Sequence, residues 1–181
     1  MASSLQVFQT SQYMPKKDLS LRVKGQDEIS FSRNYFNQWG YVRGEIDGTR
    51  PWQNNVGRNW SHNYNTRIQL SQTTKQNGAP NLMLLYEQDA SYWYVTHMAT
   101  VDDHEEYTAY GDSSNLARIY GTQVWCYVSN NQVTKVTVNR VNGRFMTYSA
   151  PTADSYRMCR LDYIDDPSGN RISLQYDGAN G

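Results

Sequence analysis

Polar and apolar positions alternate with a period of two along much of this chain, the spacing of side chains on a half-buried β-strand. Leu19, Leu21 and Val23 share one face, while Ser20 and Arg22 take the other. Gly25-Gln26-Asp27 offers a turn, and Ile29, Phe31, Arg33 and Tyr35 then resume the alternation. The pattern predicts a β-hairpin. Residues 37–58 lose it. They hold Gly40, Gly44, Gly48, Pro51 and Gly57 together with Trp39 and Trp52, and read as a long loop pinned by aromatic residues.

Strand signals return at Ser61–Leu70, with Tyr64, Thr66, Ile68 and Leu70 on one face. Ser71–Ala79 is polar and reads as a loop. Leu82–Glu87 and Tyr92–Met98 are apolar-aromatic runs, joined by a short turn at Gln88–Ser91. Asp102–Glu106 reads as an acidic loop. Short strands are expected at Tyr107–Tyr110, Ala117–Tyr120, Val124–Val128, Val133–Val138 and Phe145–Tyr148. Gly111, Gly121, Asn130-Asn131 and Asn142-Gly143 punctuate them, and Asn142-Gly143 is the strongest hairpin signal in the chain. No window keeps a helical period for three turns; the best helical candidate is one turn near Ser114–Ala117. The reading is all-β: an antiparallel meandering sheet or sandwich with long aromatic-pinned loops.

Composition narrows the partners. The chain has 181 residues, enough for one domain, and 15 of them are tyrosine. Lys+Arg and Asp+Glu are both 17, and no basic stripe is present, which argues against nucleic acid. No run of about 20 apolar residues spans a membrane. Two cysteines, Cys126 and Cys159, leave a single bridge or a pair of buried thiols open, with thiols favoured. Residues 1–10 lack the basic and apolar regions of a signal peptide, and the Gly178–Gly181 end reads as a cut just after a strand.

The last segment carries a recognisable pattern. Leu161 to Gly181 reads as a strand, a Pro167-Ser168-Gly169-Asn170 turn, a second strand through Ile172 and Leu174 to Tyr176-Asp177, and Gly178. It resembles one YD repeat of the Rhs family. Upstream, Ile29-Ser30-Phe31-Ser32-Arg33-Asn34-Tyr35 is similar to the strand that opens Rhs cores, with its Arg-x-Tyr. Gly57-Arg58-Asn59-Trp60-Ser61-His62-Asn63-Tyr64 resembles the family's Gly-x-Gly-Trp-x-His-x-Tyr signature, with Asn59 where the family usually has Gly. The three elements occur in the expected order, over roughly 29–64 and 155–181.

The resemblance implies a structural part rather than an enzyme. Its motif residues are Arg33, Tyr35, Gly57, Trp60, His62, Tyr64, Gly169, Asn170, Tyr176 and Asp177. It divides the chain into an N-terminal Rhs-type β domain, 1–154, and a YD-repeat hairpin, 155–181. Such proteins build sheets that spiral into a hollow β-shell; many bacterial members enclose a toxin, and others are secreted or held at the cell surface. The module would start or cap that shell, with the downstream YD repeats as its partner and self-association through an open sheet edge as a consequence. Export would depend on a region outside this chain. No cofactor is implied.

Other constellations carry candidate chemistry. Trp60, His62 and Tyr64 fall on one face of a strand and could stack a sugar; the plainer reading is a buried aromatic row whose His bonds a backbone carbonyl. The alternative function, a carbohydrate-binding module, draws on Trp52, Tyr92, Trp93 and Tyr94 as an exposed platform. Asp102-Asp103-His104-Glu105-Glu106 could hold a cation, but its spacing fits neither a Ca²⁺ loop nor a zinc site, and a solvated loop is expected. Asp165-Asp166 could suggest glycoside chemistry, but they sit at a hairpin turn, where Asp bonds the backbone. His62, His97 and His104 have no neighbouring nucleophile motif. Asn59-Trp60-Ser61 is a formal glycosylation sequon on a residue expected to be buried.

Overall fold

A computed structural model describes residues 13–21, 29–36, 60–87, 92–110, 121–153 and 157–176. All regular elements among them are strands: β1 (Tyr13–Leu21), β2 (Ile29–Phe36), β3 (Trp60–His62), β4 (Arg67–Leu70), β5 (Leu82–Tyr86), β6 (Tyr92–Val101), β7 (His104–Tyr110), β8 (Gln123–Ser129), β9 (Gln132–Asn139), β10 (Phe145–Tyr148), β11 (Met158–Asp165) and β12 (Arg171–Ser173). No helix among the described residues is long and apolar enough to cross a membrane.

Strands β1, β2 and β3 form a small antiparallel sheet in that order. This is the hairpin that the alternation predicts, with Leu21 opposite Ile29; its turn lies outside the described residues. Strands β4 to β11 each pair with the next in sequence, and β11 also pairs with β4. The expected meander is therefore present, and it closes into an eight-stranded up-and-down barrel rather than folding into a sandwich.

Closure depends on β11. One edge of it binds β10 along Leu161–Asp165. The other edge is shared: β4 takes Met158–Arg160, and β12 takes Tyr163–Asp165. The register slips between Thr147 and Tyr148, so Asp162 is an extra residue that lets β11 bend between its partners. A division of the chain at 154/155 thus runs through the barrel wall.

The period-2 faces become inside and outside. Ile68, Leu70, Met83, Leu85, Trp93, Val95, Val124, Val136, Val138 and Leu161 are buried together in the lumen. Each such side chain contributes roughly 1.5–3 kcal/mol by leaving water. Three buried tyrosines have partners for their hydroxyls: Tyr148 with Thr66 Oγ1 at 3.0 Å, Tyr107 donating to Pro80 O at 2.6 Å, and Tyr86 donating to Gln69 Oε1 at 2.9 Å.

Short turns set the registers. Asn130 and Asn131 have φ of 52° and 59°, the paired left-handed geometry of a two-residue hairpin between β8 and β9. Among the described residues a second turn type occurs three times. At 75–79, 140–144 and 166–170 the first amide binds the fifth carbonyl, and the fourth amide binds the first carbonyl. The fourth residue is Gly78, Gly143 or Gly169, at φ of 85°, 77° and 84°. Side chains other than glycine rarely adopt that conformation.

Two expectations change. The single strand read at Ser61–Leu70 is two strands in different sheets, β3 and β4, separated by a turn at 63–66. Asn63 makes the break, because its side chain binds β2 instead of continuing a strand: its Nδ2 donates to Ser30 O at 2.7 Å, and its Oδ1 accepts from Ser32 N at 3.0 Å. The acidic loop read at 102–106 is a turn of only Asp102 and Asp103, and His104–Glu106 begin β7. The candidates at 114–120 lie outside the described residues.

Candidate functional site

Of the residues singled out by motif, Tyr64 and Asn170 line one cavity at an end of the barrel, and the other described ones lie on the two segments that carry them. Arg33 and His62 are cross-strand partners in the small sheet, as are Tyr35 and Trp60 by backbone pairing. Arg33 forms a two-pronged pair with Asp18, at 2.7 and 2.9 Å. Asp18 is the extra residue of a bulge in β1, which turns its carboxylate towards Arg33. The ring of His62 stacks on Phe31, and its Nδ1 accepts from the Tyr64 backbone amide at 3.3 Å. Burial, helped by the charge of Arg67, holds the His62 pKa below its ordinary value. The 63–66 turn takes Tyr64 out of the Trp60/His62 row, and its hydroxyl donates to Ser30 O at 2.9 Å. Gly57 and Asp177 lie outside the described residues.

The remaining motif residues lie on the β11–β12 hairpin. Gly169 supplies the left-handed step of its turn. Asp166 caps the turn, accepting from Ser168 N at 2.8 Å and Asn170 N at 2.9 Å, with Asn170 Nδ2 on its second oxygen. These bonds hold its carboxyl below the usual carboxylate range. Asp165 is bound by Arg171 at 2.6 and 2.9 Å, and the Arg171 guanidinium lies over the Tyr163 ring. Both carboxylates of the Asp165-Asp166 pair thus accept bonds from within the hairpin, as expected for Asp at a turn. The Tyr176 hydroxyl donates to Leu161 O at 2.8 Å, tying the end of the segment to β11.

A cavity of about 660 Å³ lies between these groups. Ile29 and Ser30 of β2, Asn63 and Tyr64 of the turn, and Asn170 and Ile172 of the hairpin all line it. The β9–β10 turn, Arg140–Arg144, completes the wall; this turn was legible as a hairpin but not as part of a site. Arg140 donates to Glu87 at 2.6 Å. Among the described lining residues there is no histidine or cysteine; the lining supplies guanidiniums, the carboxylates of Glu87 and Asp166, amides and hydroxyls, several already bonded to each other.

The opposite end of the barrel holds a second polar cluster, which sequence reasoning missed. Glu105 points inward beside Cys126 and is 3% exposed. Its Oε1 accepts from Asn77 at 2.6 Å, and its Oε2 accepts from Thr100 at 2.9 Å. His97 Nε2 lies 2.5 Å and Lys75 Nζ 3.5 Å from the same oxygen. A smaller cavity, about 350 Å³, adjoins this cluster. Among the described residues, no group of three or more His, Cys, Asp or Glu is placed to hold a metal. Cys126 and Cys159 are free and buried; burial pushes the Cys126 thiol up to about 12 and raises Cys159 as well, so both stay protonated.

Among the described residues, the aromatic set considered for sugar stacking is not coplanar. Trp93 is buried in the lumen, and the rings of Tyr92 and Tyr94 meet at 87°. Trp52 lies outside the described residues. Compared with known proteins, the chain matches no family model and no curated protein. What it can be assigned to is a class of fold, the closed antiparallel β-barrel with a small appended sheet.

Proposed function

We propose that this chain is a non-catalytic structural module that starts or caps the β-shell of a secreted or surface-exposed YD-repeat protein. The observation that carries the reading is the edge of β12. Among the described residues β12 has one neighbour, β11, whereas every strand of the barrel has two. The bond from Leu174 N to Asp162 O sets the phase of this ladder. Amides 172 and 174 face β11, and those of Arg171 and Ser173 face outward, where a further strand would bind them. The ordered motifs of the small sheet and the hairpin, lining one cavity, add support. The barrel would then be the closed beginning, and β12 the first strand of the continuing sheet.

The test is light scattering coupled to size-exclusion chromatography over a concentration series. The full chain is expected to gain mass with concentration. Ser173→Pro, which removes an outward amide and leaves the bonds to β11, is expected to stay monomeric and folded. A full chain that is monomeric at all concentrations, or a variant that associates equally, contradicts the reading.

A further inference from the structure

We propose that the 71–81 loop is a releasable plug for one end of the barrel, latched by Glu105, and that neutralising this carboxylate frees the loop while the strands stay paired. The inference does not depend on the shell reading. It starts from how the loop is built. Residues 75–79 form one of the glycine turns, Thr74 bridges Pro80, and Asn81 N binds Thr73 O, so the loop is a miniature hairpin. Gly78, Ala79 and Pro80 are buried, although the loop is otherwise polar. A Cβ at Gly78 would lie 2.0 Å from Asn131 O, so the plug sits directly on the β8–β9 turn.

Little apolar surface holds it there, since only Ala79 and Pro80 are buried hydrocarbon. The strong contacts are polar: at the base of the loop Arg157 Nη1 donates to Ser71 O at 2.6 Å, and around the 75–79 turn the side-chain contacts converge on Glu105. Lys75 and Asn77 reach it from the plug, and His97 and Thr100 from β6. Tyr107, beside it on β7, donates to Pro80 O from within the lumen, and Cys126 faces it from β8. Burial raises both Tyr107 and Cys126 out of the titrating range, so neither changes charge with Glu105. Asp102 and Asp103 line the adjoining cavity, and Asp103 is engaged by His104. Lys75 is therefore the group whose counter-charge vanishes when Glu105 takes a proton, and the contact of His97 Nε2 with the same carboxylate oxygen is perturbed with it.

The sign of the pH effect follows. Burial alone would raise the Glu105 pKa, but the bonds from Thr100, His97 and Asn77, with the charge of Lys75, outweigh it and hold it below the usual value. A lowered folded pKa means that the latch is complete at neutral pH, begins to weaken as pH falls below the ordinary glutamate value of about 4.3, and is lost as pH falls through the lower folded value.

Hydrogen exchange followed by mass spectrometry on the full chain tests this, with rates corrected for intrinsic exchange at each pH. At neutral pH, Glu105→Gln is expected to speed exchange of the 74–80 amides by about tenfold or more, with β8 and β9 unchanged. Wild type is expected to begin the same local loss as pH falls below about 4.3 and to complete it as pH falls through the lower folded value. Should Glu105→Gln fail to fold, the double variant Lys75→Met/Asn77→Ala removes the plug's half of the latch and is expected to free the same amides. Loop protection that survives neutralisation, or that is lost only together with the strands, overturns the proposal.

Discussion

The two ends of the barrel use the same five-residue glycine turn for opposite ends. At one end the 75–79 turn is folded inward, with Gly78 pressed on the Asn131 backbone and Asn77 bound to a buried carboxylate. At the other end, the 140–144 and 166–170 turns stand beside one another around an open cavity. A Cβ at Gly143 would lie 2.9 Å from Pro167 Cγ, and one at Gly169 would meet nothing within 4 Å. Local sequence makes the turn; what the turn packs against decides whether the end is stoppered or left open.

Alanine at each glycine therefore separates the cost of conformation from the cost of packing, and chemical denaturation reads it. Gly78→Ala should be the most damaging, costing about 3 kcal/mol or more, because a left-handed alanine must also displace backbone. A loss no larger than that at Gly169 would mean that the loop is not seated on the β8–β9 turn. Gly143→Ala should be intermediate, near 2 kcal/mol, since the Pro167 ring has to give way. Gly169→Ala should cost about 1 kcal/mol, the conformational penalty alone. Finally, Thr66→Val, which removes the partner of the buried Tyr148 hydroxyl near the cavity end, should cost about 1–3 kcal/mol; no change would place that hydroxyl in contact with water.

Much of this was legible along the chain. Phe145–Tyr148 coincides with β10, Val133–Val138 lies within β9, and Asn142-Gly143 marks the hairpin between them. There a period of two, β-branched residues and a glycine turn agree. Asn77-Gly78 carried the same turn signal as Asn142-Gly143, yet the polar stretch around it read as plain loop. The break at Asn63 also had a signal, since two asparagines in three residues favour a turn over a continuous strand. Glu105 had none. A carboxylate is seldom buried unless it is paired, and its partners come from positions 75, 77, 97 and 100, brought to it only by the closed barrel. Closure itself was beyond local reading, because it rests on the pairing of Cys159 with Ile68, far apart in sequence.

The account stands on β11 being held on both edges, with β12 left as the outer edge. Amide hydrogen exchange at neutral pH and low concentration addresses it directly. The amides of β4 and of Met158–Leu161 should be as well protected as those of β8 and β9, while the outward amides of Arg171 and Ser173 exchange fast. Rapid exchange at Ile68, Leu70 and Cys159, whose amides cross the seam, would mean that the wall is open between β4 and β11, and the closed barrel would fail.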